Sequence, residues 1–241
     1  MSIKLCFDFG NTRLKCAVFQ HDQLLQTEVL ENDERSTIES LIEKYKPESS
    51  ILSSVINHQS VVEDVLSHHT QFHKLSHLTK LPFTTPVGKP ETIGADRLAL
   101  CAAAVHLFPG KNNLAIGLGT CITFNFINQY HQFLGGSISP GLEMRFKSMH
   151  ALTAKLPLVE MDWNLPLIGY DTRTNLLSGV AWGMAKEIDG IADAYAEKYE
   201  GFNVLLTGGD TGHFAPLLKS RIFADPHLIF KGLYAISEHN R

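Results

Sequence analysis

Apolar residues in the first third of the chain come in short runs broken by turn formers. Residues 3–9 and 14–19 are two strand-like runs on either side of Gly10-Asn11-Thr12, the pattern of a β-hairpin with a tight polar turn. A third strand is expected at 23–30, then a helix to about Tyr45 that sets Ile38, Leu41 and Ile42 on one face and ends at Pro47. A strand at 50–55, a helix at 59–67 and a short strand at 72–75 follow. The turn-rich stretch 84–93 leads into an apolar helix over 94–108, stopped by Pro109-Gly110. Residues 113–127 then repeat the opening design: an apolar strand, a turn at Gly117-Leu118-Gly119-Thr120, and a second alternating strand. A strand with glycine-rich ends at 132–141, a helix at 142–152, a long helix at 175–199, a buried strand at 203–210 and a short helix at 231–238 complete the reading. Hairpins followed by strand–helix alternation indicate an α/β architecture with mixed sheets. The repeated hairpin suggests two related domains, 1–112 and 113–241, divided near Gly110-Lys111-Asn112; two unrelated hairpins are the alternative.

Composition narrows the classes. The chain has 241 residues, 44% hydrophobic and 19% charged, enough for one large or two medium cores. A net charge of −4 gives no reason to expect nucleic acid or an anionic membrane as a partner. No apolar run approaches the ~18 residues of a membrane span. Asp8 interrupts the first apolar stretch, which argues against a secretory signal. The four cysteines (Cys6, Cys16, Cys101, Cys121) lie in apolar runs without C-x-x-C spacing, so reduced packing residues in a cytoplasmic protein are expected. His58, His68, His69, His73 and His77 lack helix-spaced ligand pairs and read as a solvated surface.

The first turn offers phosphate chemistry. Gly10 has no Cβ, so backbone amides there can close on an anion, with Thr12 adding a hydroxyl and Lys15 a point charge. Asp8 would repel a bare phosphate, which points to a bridging Mg²⁺. An ordinary hairpin with an exposed Asn-Thr turn is the alternative. A Walker-type loop is absent, and a strand after Gly10 excludes a dinucleotide fingerprint. Asp96 and Arg97 fall in the first turn of the apolar helix, where the helix dipole favours an ionised carboxylate able to accept a proton from an alcohol. Simple capping with an Arg97 ion pair would explain them too. Gly179, Gly183 and Gly190 give the long helix a small-residue face suited to close packing, and Thr207-Gly208-Gly209 would let a flat ring approach the main chain.

Taken in order, Asp8-Phe9-Gly10-Asn11-Thr12 with Lys15, Gly94-Ala95-Asp96-Arg97, Gly119-Thr120 with Thr123, Gly135-Gly136 with Pro140-Gly141, and Thr207-Gly208-Gly209 resemble the type III pantothenate kinases across nearly the whole chain. The resemblance implies two ribonuclease-H-like domains of the actin-like ATPase class, with mixed sheets and a nucleotide cleft between them. It implies ATP with Mg²⁺, pantothenate as the acceptor, and a homodimer. On that pattern Asp8, Phe9, Gly10, Asn11, Thr12, Arg13, Leu14 and Lys15 hold the ATP phosphates and magnesium, and Thr120 contacts ATP from the second domain. Gly94, Ala95, Asp96 and Arg97 line the pantothenate site with Asp96 as catalytic base, and Thr172 is a substrate contact. The chain departs from the pattern at three positions. Gly117 stands where an aspartate usually binds potassium or ammonium, Asn125 where another aspartate is frequent, and Val87 where a tyrosine usually meets the substrate. Those departures raise two alternatives: a catalytically weak relative with an accessory or regulatory role, and a kinase of the same fold for another small hydroxy acid.

Overall fold

A computed structural model describes residues 2–241. The chain runs β1 (Ile3–Phe9), β2 (Leu14–Gln20), β3 (Gln23–Leu30), α1 (Arg35–Tyr45), β4 (Ser49–Ser54), α2 (Ser60–His69), β5 (Gln71–Lys74) and α3 (Ala95–Leu107). It continues through β6 (Asn112–Leu118), β7 (Cys121–Ile127), β8 (Phe133–Pro140), α4 (Leu142–Ala151), α5 (Thr172–Lys198), β9 (Phe202–Gly208), α6 (Thr211–Phe214), β10 (Ile222–Ala224) and α7 (Leu228–His239). Two compact units result. Unit 1 runs to Pro109 and takes in Tyr130–Leu134 and His227–Arg241; unit 2 comprises Gly110–Gln129 and Gly135–Pro226.

In unit 1 the strands lie in the order β3-β2-β1-β4-β5, with β1 antiparallel to β2 and parallel to β4. Because side chains alternate along a strand, β1 divides its residues between two faces. Leu5, Phe7 and Phe9 pack with Ile38 and Leu41 of α1 and Val62, Val65 and Leu66 of α2. Lys4 points the other way. It is only 2% exposed, and its ammonium lies 2.6 Å from both Ser237 Oγ and Glu238 Oε1 of α7. A buried ammonium needs such partners, since burying it unpaired is strongly unfavourable.

The helix α3 is apolar on almost every side, as a helix enclosed by protein should be: Leu98 through Val105 are all buried. Its close neighbour is α7, and the approach depends on Gly232. A Cβ there would sit 1.8 Å from the Ala99 carbonyl oxygen, so any side chain would push the helices apart. The cut after residue 112 suggested by the sequence lies near the start of unit 2, whereas α7 joins unit 1 through this helix contact and the Lys4 tie.

Unit 2 has the strand order β10-β9-β6-β7-β8, with β6 antiparallel to β7 and parallel to β9. Read from the hairpin's far strand outward, this is the order of unit 1 repeated: β8, β7, β6, β9 and β10 correspond to β3, β2, β1, β4 and β5. Leu114, Ile116 and Leu118 of β6 and Phe124 and Phe126 of β7 form a core with Leu177, Val180, Met184 and Ile188 of α5. The capping box of α5, in which Asp171 Oδ1 accepts from the Thr174 amide at 2.7 Å, fixes where that helix starts. The helix therefore begins at Thr172, three residues before the start expected from sequence.

Candidate active site

The functional side chains of unit 1 come together because of strand register. Asp8 pairs with Lys15 across the β1–β2 ladder and with Ser53 on β4, so all three project from one face of the sheet. Between Phe9 and Leu14 lies the loop Gly10–Arg13, closed by the Gly10 amide donating to the Arg13 carbonyl at 3.1 Å. The Gly10 amide therefore serves the turn itself. Asn11, Thr12 and Arg13 are exposed at its tip. Gly10 through Leu14, with Val29, Leu30, Glu31 and Ile56, border a cavity of about 210 Å³.

Asp96 stands in the first turn of α3, close enough to Asp8 for the two carboxylates to repel. Burial pushes the Asp8 carboxyl up to about 7; Lys15 opposes the shift and Asp96 adds to it. Burial also raises Asp96, against the pull of the Arg97 amide, the Arg97 guanidinium and its own amide. The helix dipole alone suggests a strongly acidic Asp96, but desolvation outweighs it. The Asp96 carboxylate folds back over Gly94, where a Cβ would come within 2.4 Å of Oδ1. A side chain at 94 would displace that carboxylate.

Gly94 and Ala95 line a second cavity, of about 340 Å³, with Ser54, Val55, Ser76 and Ile93 among the other wall residues. The Arg97 guanidinium lies over the Phe133 ring, 5.5 Å from its centroid. Val87 is half-buried in the loop that precedes the 3₁₀ turn Pro90–Thr92. Among the described residues no group of three or more His, Cys, Asp and Glu side chains could cage a metal ion. Mg²⁺ is usually held by one or two carboxylates together with phosphate oxygens and water. Asp8 fits that role: a carboxylate strained by burial and by a neighbouring carboxylate is relieved by a cation.

In unit 2 the corresponding turn is Gly119-Thr120, shaped by two glycines packed against it. A Cβ at Gly141 would meet the Gly119 carbonyl oxygen at 2.1 Å, and the Gly141 amide donates to the Thr120 carbonyl at 3.0 Å. Gly208, at φ +113°, would place a Cβ 1.9 Å from the Leu118 carbonyl oxygen. The Gly208 and Gly141 positions are therefore closed to any side chain. Gly117 pairs with Thr123 and Thr207 in the sheet and brings no carboxylate. Asn125 is fully buried and donates to the Ala115 carbonyl at 3.1 Å. Thr172 is exposed at the first position of α5.

One residue the sequence does not single out is His58. Its side chain is buried, in contrast to the solvated surface expected for it, and it bonds to Ser54 and Glu63. Its polar partners are local, four and five residues away, but Phe9, which covers the ring, comes to it only through the fold.

Residues 4–194 match the sequence family described as type III pantothenate kinase. The chain is 42% identical over 241 residues to the type III pantothenate kinase of Christiangramia forsetii, covering 99% of each chain. Among solved structures it is similar to a Baf family protein from Campylobacter jejuni, with a TM-score of 0.64 at 22% identity over 98% of each chain. It is also similar to the inorganic polyphosphate/ATP-glucomannokinase of Arthrobacter sp. strain KM, with a TM-score of 0.51 at 13% identity over 99% of this chain and 98% of that one. At such identities the structures establish the fold, that of the actin-like ATPases and sugar kinases.

The raised Asp8 carboxyl carries a stability prediction. A folded-state value above the unfolded one means the native protein binds the extra proton, so stability is greatest below the unfolded value near 3.8 and falls as pH rises through about 7. Thermal melts of the ligand-free protein should show Asp8→Asn raising Tm at pH 8 while leaving it nearly unchanged near pH 4. An equal effect at both pH values would mean the Asp8 carboxyl is not shifted.

Proposed function

The chain belongs to the type III pantothenate kinases, and from that premise we propose which of its residues carry out the ATP-dependent phosphorylation of pantothenate, the first step of coenzyme A biosynthesis. The observation that carries the reading is that two buried carboxyl groups of unit 1 flank its two cavities, Asp8 just before the glycine turn and Asp96 just after Gly94 and Ala95, with burial raising both.

Gly10, Asn11, Thr12 and Arg13, flanked by the paired Phe9 and Leu14, form the loop that receives the ATP phosphates, with Lys15 adding positive charge. Thr120, in the matching turn of unit 2, is assigned to the nucleotide by the family pattern. Asp8 would hold the Mg²⁺ that accompanies ATP, which when bound would neutralise phosphate charge. Asp96 is the general base. As the primary hydroxyl oxygen of pantothenate bonds to the γ-phosphorus and the bond to the ADP oxygen breaks, the hydroxyl proton passes to Asp96. Burial favours that role, because a carboxylate raised toward neutrality is a better-matched base than a fully solvated one. Arg97 pairs with the substrate carboxylate, a planar anion suited to the guanidinium fork. Gly94 and Ala95 supply close walls, and the family pattern assigns Val87 and Thr172 to the acceptor.

The monovalent-cation position is reduced. Gly117 and Asn125 put no charge at the second turn, so potassium or ammonium has no carboxylate there to bind. Two features of unit 2 support a homodimer. Gly179, Gly183 and Gly190 of α5 are exposed with open space where a Cβ would lie, and Ile168 and Tyr170 are each 81% exposed. Four cysteines without a disulfide support a reducing compartment such as the cytoplasm.

Three measurements test this reading. Asp96→Asn should lower pantothenate-dependent ADP release by about tenfold or more while leaving ATP binding nearly intact; unchanged turnover removes Asp96 from its role. The wild-type rate should rise less than about twofold between zero and saturating potassium, a change worth well under 1 kcal/mol of barrier; a steep rise would show that other ligands replace the missing aspartate. Sedimentation should give twice the 26.8 kDa chain mass, and Gly183→Leu should shift the protein toward monomer. A monomeric wild-type protein would end the dimer proposal.

A further inference from the structure

Ser50, Ser53 and Ser54 of β4 differ in what their hydroxyl groups find. Ser50 and Ser54 share the register of Leu5 and Phe9, on the face that packs with α1 and α2. Both are engaged there: Ser50 Oγ lies 2.6 Å from Thr70 Oγ1, and Ser54 Oγ lies 2.8 Å from His58 Nδ1. Ser53 faces the other way. Leu52 belongs to the core with Phe7, so alternation along the strand turns Ser53 to the side of Lys4 and α7. It is 0% exposed, and its hydroxyl finds no hydrogen-bond partner among the described residues.

The ladder fixes what stands beside that hydroxyl. Asp8 is the register partner of Ser53 on β1, and Lys15 is the partner of Asp8 on β2. Pairing holds beyond this row, where the Val55 amide donates to the Phe9 carbonyl at 3.0 Å, so the row Lys15, Asp8, Ser53 is pinned. Neighbouring strands lie about 4.8 Å apart, which puts the Asp8 carboxyl group within the swing of a serine hydroxyl turning about χ1.

A buried hydroxyl left unpaired is unfavourable, and alanine would fill the same place without that cost. The hydroxyl therefore adds nothing to the ligand-free fold. A carboxylate offers about four acceptor sites, and those that a cation does not take need donors. Lys15 and Ser53 are the side chains that the ladder places on either side of Asp8 to supply them.

We infer that Ser53 is a positioning residue of the phosphate site: in the nucleotide-bound enzyme its hydroxyl donates to the Asp8 carboxylate and holds it in the orientation that meets the cation accompanying ATP. The inference rests on the assignment of Asp8 to that cation.

Binding of ATP to the full-length protein, without pantothenate, tests it by calorimetry. With Mg²⁺ present, Ser53→Ala should bind ATP about tenfold more weakly than wild type, the value of one hydrogen bond to a charged group. In EDTA the two proteins should bind ATP alike, because Ser53 acts through Asp8. Melts of the ligand-free proteins should show the Tm of Ser53→Ala equal to that of wild type or higher. A lowered Tm would mean that the hydroxyl is already engaged without ligand. That result, an undiminished affinity with Mg²⁺, or an equal loss with and without Mg²⁺ overturns the inference. Asp8→Ala in the same titration separates the two levels. If it binds ATP with Mg²⁺ as tightly as wild type, the reading of Asp8 fails; if it binds weakly while Ser53→Ala binds normally, only the role of Ser53 fails.

Discussion

Burial of the Asp8 and Asp96 carboxyl groups is the constraint on which the chemistry of unit 1 turns. Asp8 and Asp96 come from distant parts of the chain, and left to themselves they would move apart or take up protons. The register of β1 and β2 sets Lys15 opposite Asp8, which offsets part of the strain. The enclosed helix α3 offers Asp96 little freedom to retreat, because Leu98 through Val105 are buried along its length. What remains is a pair of buried carboxyl groups held toward their protonated forms by loss of water.

The same strand order appears twice, yet the two turns are chemically unlike. The first carries Asp8 before it and Lys15 after it; the second is neutral, with Gly117 and Asn125 where charge could stand. Shape takes over there. Gly141 and Gly208 bring backbone against the turn so closely that a single methyl group would collide with a carbonyl oxygen. One half of the repeat has specialised in electrostatics, the other in close main-chain packing.

Much of this was readable in advance. Hairpins bounded by Gly10-Asn11-Thr12 and Gly119-Thr120, the apolar run of α3 and the strand ending at Gly208 all follow from local pattern, because each is decided by neighbours a few residues apart. Other features were not readable, for one shared reason. His58 is buried by Phe9 and tied to Ser54 and Glu63; α7 joins the first unit through Gly232 and Lys4; Asp8 is made a weak acid by its surroundings. Each depends at least in part on contacts between segments far apart in the sequence. A histidine in a polar stretch looks solvated until the fold supplies its partners, and a carboxylate looks acidic until the fold removes its water.

The position of α7 bears on how the protein is made. Its residues, 228–239, pack against α3 and β1, but they are translated after the whole of unit 2. At about 5–20 residues per second, α3 leaves the ribosome on the order of ten seconds before the helix that covers it. During that interval its alanine- and leucine-rich flank lacks its native cover, an opening for wrong partners and for chaperones. The nascent chain can therefore complete its second half first, and the half bearing Asp96 closes only when synthesis has passed residue 239.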